Sequence, residues 1–120
     1  ARKIFNMPFN DIEIQRIKKE VGGLCSKRTP EHQKDKLRFE YEIEKQNVII
    51  CEIRPMWNDP SEITKLSVAK LTYVISNNIW KLYWQRANGK WLRYETSKST
   101  VDLGDLVQEI DADIYGCFFG

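Results

Sequence analysis

Residues 71–94, reading L-T-Y-V-I-S-N-N-I-W-K-L-Y-W-Q-R-A-N-G-K-W-L-R-Y, constrain the fold more than any other part of this chain. Three of the four tryptophans and three of the five tyrosines lie in this stretch, spaced with a period of two. That period is the signature of strands whose side chains alternate between two faces. Asn88-Gly89 is a strong hairpin signal, because a two-residue type I′ loop needs positive φ at both central positions. Asn77-Asn78 repeats the signal more weakly. The stretch therefore reads as three antiparallel strands.

A two-residue loop at Asn88-Gly89 sets Arg86 opposite Trp91, Trp84 opposite Arg93 and Tyr83 opposite Tyr94. A similar loop at Asn77-Asn78 sets Ile75 opposite Trp80 and Tyr73 opposite Leu82. With these pairings one side collects Leu71, Tyr73, Ile75, Trp80, Leu82 and Trp84, a core with Arg86, Trp91 and Arg93 at its far end. The other side carries Lys70, Thr72, Val74, Lys81, Tyr83, Gln85, Leu92 and Tyr94. This second face is too polar for a sealed core and too aromatic for an ordinary wet surface. It is either a set of cross-strand pairs or a platform on which a base, sugar or peptide side chain stacks.

Upstream, Asn10 and Glu13 form a capping box for a helix to about Cys25, with Ile14, Ile17, Val21, Leu24 and Cys25 as its apolar stripe. Ile4, Phe5 and Phe9 are candidate anchors before it. Lys18, Lys19, Lys27 and Arg28 make a basic run that is either a solvated face or a phosphate contact. Thr29-Pro30-Glu31 reads as a cap and N1 proline of a short turn carrying the lone histidine, His32.

From residue 36 the period changes to two. Leu37, Phe39, Tyr41 and Ile43 alternate with Arg38, Glu40, Glu42 and Glu44. A three-residue loop at Lys45-Gln46-Asn47, with Asn47 left-handed, brings Ile49, Cys51 and Ile53 to the same inner side and makes Cys51 a buried thiol. Glu40 then lies beside Glu52, a carboxylate pair near Arg54 and Lys70 that faintly resembles a metal-dependent nuclease site. Ion pairs among Arg38, Glu40, Glu52 and Arg54 account for the same residues without chemistry. Residues 54–62, with Pro55, Trp57 and Asp59-Pro60, read as the longest loop, in which Trp57 plugs the core or lines a pocket mouth.

Ser99 or Thr100 with Asp102 opens a last helix whose stripe is Val101, Leu103, Leu106, Val107 and Ile110. Phe118 and Phe119 close the chain, docking into the core or serving a partner.

Composition bounds what the face can do. A net charge of +2 over 120 residues lacks the large basic excess of dedicated nucleic-acid binders. Three widely spaced cysteines without a C-x-x-C fit reduced thiols in a cytoplasmic protein. One histidine and no cysteine pair leave no zinc site, so neither metal nor cofactor is expected. No apolar run approaches ~20 residues, and no signal-peptide core stands at the N-terminus, so no membrane partner is expected.

Glu52-Ile53-Arg54-Pro55 with Trp57 and Asp59-Pro60, Ala69-Lys70 with Thr72-Tyr73-Val74, Trp80-Lys81-Leu82-Tyr83-Trp84, Arg86-Ala87, Lys90-Trp91, Arg93-Tyr94, Asp111-Ala112-Asp113 and Tyr115-Gly116-Cys117-Phe118-Phe119-Gly120 together resemble a bacterial family known as domain of unknown function 3024. Ile114 departs from a proline expected before the tail tyrosine. The resemblance covers nearly all of the chain after the first helix and implies a small cytosolic protein without an assigned activity.

The expectation is one α+β domain over residues 1–120, a five-stranded antiparallel meander with an N-terminal and a C-terminal helix on one face. The leading function is a binding module for single-stranded nucleic acid or an anionic ligand. Its candidate contacts are Glu52, Arg54, Trp57, Lys70, Tyr83, Gln85 and Tyr94. The rivals are a hydrolase, carboxylate–metal through Glu40 and Glu52 or thiol-based through Cys25 or Cys117, and a homodimeric or other protein-partner module.

Overall fold

Asn10 opens the first helix with the expected reciprocal cap. Its side chain accepts from the Glu13 N–H at 2.8 Å, and the Glu13 carboxylate accepts from the Asn10 N–H at 3.0 Å. The computed structural model describes residues 9–95 and 102–120. Helix α1 runs over Asp11–Lys27, straight through Gly22-Gly23, and buries Ile17, Val21, Leu24 and Cys25. A 3-10 turn at Glu31–Gln33 follows. Five strands come next: β1 Arg38–Glu44, β2 Asn47–Met56, β3 Asp59–Val74, β4 Ile79–Gln85 and β5 Trp91–Tyr94. They pair antiparallel in sequence order. Helix α2, Leu103–Ala112, is capped by Asp102 and buries Leu103, Leu106, Val107 and Ile110. Ser99, Thr100 and Val101 lie outside the described residues, as do Ile4 and Phe5.

The architecture is α+β, and both helices cover one face of the sheet. The core beneath them joins Val48, Ile50, Leu71 and Leu82 from the strands to Ile17, Val21, Leu103 and Ile110 from the helices. Phe9 closes one end by stacking on Trp80, centroids 5.6 Å apart. The tail closes another. Asp113 takes a left-handed φ of 45° after α2, and its two carboxylate oxygens accept from the N–H groups of Phe118 and Phe119, each at 2.9 Å. Phe118 is buried, and Phe119 stands edge-on to Phe39 with the Arg28 guanidinium 3.7 Å from its ring centre. The terminal phenylalanines are thus core residues in this chain.

Loop lengths differ from expectation at every hairpin. Between β1 and β2 the loop is Lys45-Gln46 alone, and Lys45, with φ 55°, takes the left-handed position expected of Asn47. Val48 therefore faces Ile43 and Ile50 faces Tyr41. Ile49, Cys51 and Ile53 fall on the other side. Cys51 and Ile53 are buried nonetheless, outside the main core cluster. Residues 54–62 do not form a loop at all. Pro55 pairs with Ile63 and Met56 with Asp59, so β2 and β3 continue as a two-stranded arm turned at Trp57-Asn58. At the inner end of this arm β3 carries a bulge, and Val68 and Ala69 are both in the core.

The turn between β3 and β4 spans residues 75–78 and ends on Asn78 at φ 53°, whose side chain accepts from the Tyr73 hydroxyl at 2.7 Å. Leu71 pairs with Leu82 and Tyr73 with Trp80, a slip of two residues from the tight-loop register. At Asn88-Gly89 the slip is one. Gly89 donates to the Arg86 carbonyl at 2.8 Å, Arg86 donates to the Lys90 carbonyl at 2.9 Å, and only Gly89, at φ 84°, has positive φ. The loop is Ala87-Asn88-Gly89, a turn followed by a left-handed glycine. Leu82 consequently pairs with Tyr94, and Gln85 with Trp91. Among the described residues no helix is long and apolar enough to cross a membrane.

Candidate functional site

The face of the sheet away from the helices is where polar and aromatic groups meet. Registers across β2, β3, β4 and β5 put Ile49, Lys70, Tyr83 and Arg93 in one row, with Thr72 and Lys81 on one side and Gln85 and Trp91 on the other. The Lys70 ammonium lies 4.8 Å from the Tyr83 ring centre and 4.9 Å from that of Trp91. Each such contact on an exposed surface stabilises by roughly 0.5–1 kcal/mol, less than a phosphate oxygen offers an ammonium. Among the described residues Lys70 and Lys81 have no carboxylate partner, and Arg93 has only a distant one, Glu95 at 3.9 Å. The Gln85 amide donates to the Gly89 carbonyl at 3.0 Å, which ties the edge of this patch to the glycine turn.

Of the seven candidates drawn from the sequence, Lys70, Tyr83 and Gln85 come together here. Tyr94 does not. The one-residue slip at the glycine turn carries it to the covered face, where it is 7% exposed against Phe118, centroids 5.2 Å apart. Burial there pushes its phenol above the ordinary value. Trp91 takes the place assigned to Tyr94. The charge pattern of β5 held this answer, since the tight-loop register points Trp91, Arg93 and Glu95 at the helices while the actual one points Leu92 and Tyr94 there. Glu52 and Arg54 share the parity of Ile50, opposite Lys70, and pair with each other through side chains two apart. Trp57 sits at the tip of the arm, 93% exposed, and so does not plug the core.

The carboxylate pair also dissolves. Glu40 lies opposite Cys51, and Glu52 opposite Phe39, so the two acids occupy opposite faces. Glu40 is engaged by Arg38 at 2.7 Å, and Glu42 by Lys65 at 2.8 Å. Among the described residues no three acidic, histidine or cysteine side chains gather as a metal site would need.

The thiols are poor nucleophiles where they stand. Burial pushes Cys25 up to about 12, with Cys51 and Glu40 adding to it. Cys51 is raised by burial, partly offset by Ser67, and lies 3.9 Å from a Glu42 oxygen. Cys117 is raised by burial and then by Asp113. All three are protonated at neutral pH. Thr29 does not cap the turn bearing His32; its hydroxyl accepts from the Phe39 N–H at 2.8 Å instead.

A family described as domain of unknown function (DUF3024) matches residues 9–120. The chain belongs to that family. No curated protein and no solved structure matches it.

Proposed function

We propose that this chain is a binding module whose open sheet face takes a single-stranded nucleic acid or a comparable anionic ligand bearing a planar ring. The observation that carries this reading is the Lys70 ammonium held by two aromatic rings and, among the described residues, by no carboxylate, with Lys81 and Arg93 beside it. Rings position the charge without neutralising it. A phosphate draws the ammonium out, and a base then stacks on the freed Tyr83 or Trp91 surface, where stacking contributes about 1–3 kcal/mol per base.

The test is a fluorescence titration with dodecamers of thymidylate and uridylate at low and moderate salt. Quenching that weakens with salt is expected, because each neutralised phosphate releases counterions. Lys70→Ala and Trp91→Ala each weaken binding at least fivefold, whereas Arg54→Ala, on the opposite side of β2, leaves it unchanged. No quenching at low salt with millimolar oligonucleotide removes nucleic acid as the ligand.

The arm favours a second reading, an interaction protein. Trp57, Ile63 (52% exposed) and Leu66 (58%) leave three large apolar side chains on a ribbon uncovered on both sides. Light scattering across a concentration series decides it. A mass that doubles in the native chain and not in Trp57→Ser assigns the arm to self-association.

A further inference from the structure

The free edge of β1 faces a groove walled by α1, and this groove is separate from the open sheet face. Its larger part is an open trough of about 660 Å³ between Lys18, Lys19, Gly22 and Gly23 on the helix and Phe39 to Tyr41 on the strand. A smaller part of about 340 Å³ continues past Ser26 to Thr29. The Phe39 N–H points outward, since Thr29 accepts from it. Strand alternation turns the N–H and C=O groups of Tyr41 and Ile43 to the same outer side, away from β2. Beyond Phe39, then, the edge offers backbone donors and acceptors with no neighbouring strand among the described residues.

Gly22 and Gly23 weaken a helix that nonetheless runs four residues past them. Gly22 has a local reason, because a Cβ there would stand 3.4 Å from the Tyr41 ring. Gly23 has none among the described residues: a Cβ would meet nothing within 4 Å. The missing side chain leaves the groove wall open at this point.

We propose that this groove receives an extended peptide segment of another protein, added antiparallel to β1 as a sixth strand. Main-chain bonds to Tyr41 and Ile43 supply the pairing. Specificity comes from the two sides of the added strand. On the open side its residues lie beside Glu44 and beside Glu40 and Glu42, whose exposed ion pairs with Arg38 and Lys65 are weak enough to exchange for an incoming lysine or arginine. On the helix side, Gly22 lies against Tyr41. Lys18 is one helical turn earlier, about 6 Å, which corresponds to roughly two strand residues toward Ile43. The position opposite Tyr41 therefore takes a small aliphatic residue against the glycines. The position opposite Ile43 takes an acid toward Lys18 and Lys19, neither of which has an ion-pair partner among the described residues. The pattern is basic, acidic, basic, aliphatic, basic.

The test uses the full chain, labelled with ¹⁵N, and the peptide Ac-Lys-Glu-Lys-Val-Lys-NH2 at up to 5 mM. Saturable shifts at Tyr41, Ile43, Gly22 and Gly23, with at least tenfold slower amide exchange at Tyr41 and Ile43, support the proposal. The sign-reversed peptide Ac-Glu-Lys-Glu-Val-Glu-NH2 binds at least fivefold more weakly. Gly23→Leu raises the melting temperature yet weakens the first peptide at least fivefold, so lost binding is not lost folding. No shifts, shifts only around Lys70 and Trp91, or equal binding of both peptides overturns it. So does a chain that is already dimeric with Tyr41 and Ile43 protected, which would make a second copy the occupant.

Discussion

The covered and open faces of one sheet use the same residue types to different ends. On the covered face, rings meet rings and aliphatic groups: Phe9 on Trp80, Tyr94 on Phe118, Phe39 on Phe119. On the open face, Tyr83 and Trp91 meet an ammonium. Apolar burial contributes roughly 25 cal/mol per Å², so the covered rings hold the fold together. Among the described residues the open rings meet a single cation, a contact of roughly 0.5–1 kcal/mol per ring, so they are expected to contribute less to the fold. An aromatic residue that a sheet does not need for stability is available for recognition.

Neighbours on one strand give the sharpest way to break that distinction. Leu82, fully buried, and Tyr83, on the open side, differ by one position in β4. Leu82→Ala is expected to lower the unfolding free energy by about 2–5 kcal/mol in urea melts, as large-to-small core changes do. Tyr83→Ala costs about 1 kcal/mol or less. Similar losses at both positions would mean that the open face is structurally occupied.

The pair on β5 tests the register. Tyr94→Ala costs about 3 kcal/mol by removing a buried ring, and Trp91→Ala about 1 kcal/mol or less. The tight two-residue loop predicts the reverse order, so one pair of urea melts separates the two hairpins. Order is the readout, and it is insensitive to the size of either loss.

Much of the fold was legible in the sequence because several signals agreed. The capping box at Asn10, the stripes of both helices and the alternation in β1 and β4 all point one way. The odd and even slips show where legibility ended. At residues 75–78 the longer turn moves the register by two, and every side chain of the paired strands keeps its face, while Ile75, expected in the core, falls in the turn and is exposed. At Ala87-Asn88-Gly89 a slip of one exchanges the faces, because Asn-Gly serves the two-residue and three-residue loops alike. β2 had the same ambiguity with less to resolve it. Its run V-I-I-C-E-I is apolar on both parities, so only loop length at Lys45 decides which half faces the helices. The arm was hidden by Pro55, which can stand in a ladder of only two strands because its missing N–H leaves no inner neighbour unpaired. Within the candidate site, Lys70, Tyr83 and Gln85 were readable from β3 and β4. Trp91 was readable only from the charge pattern of β5, because its side depended on the glycine loop.

The covered face also holds a thiol whose titration reports its burial. Cys25 unfolded has its ordinary value of 9.0, and folded it is held up to about 12 by burial. A raised folded value means that the contribution to stability is complete below pH 9 and is lost as pH rises from 9 toward 12. One group changes stability by at most about 1.4 kcal/mol per pH unit. Native chain and Cys25→Ala should therefore diverge in slope between pH 9 and 10, below the range where the raised Tyr94 phenol begins to contribute. Parallel slopes would mean that the thiol reaches water as freely as a group on the open face.

The smallest expected effect lies at the turn that sorts β2 between the faces. Lys45 holds φ 55° without being glycine, asparagine or aspartate, a conformation costing roughly 1–2 kcal/mol for an ordinary side chain. Asparagine tolerates it better, because its short polar side chain hydrogen-bonds locally. Lys45→Asn should raise stability by up to about 1 kcal/mol, read as a higher urea midpoint at unchanged slope. If the loop were instead three residues with Asn47 left-handed, residue 45 would carry no such strain and the substitution would be neutral. Ile49 and Cys51 would then exchange faces with Val48 and Ile50, so a midpoint shift at residue 45 reports which half of β2 the helices cover.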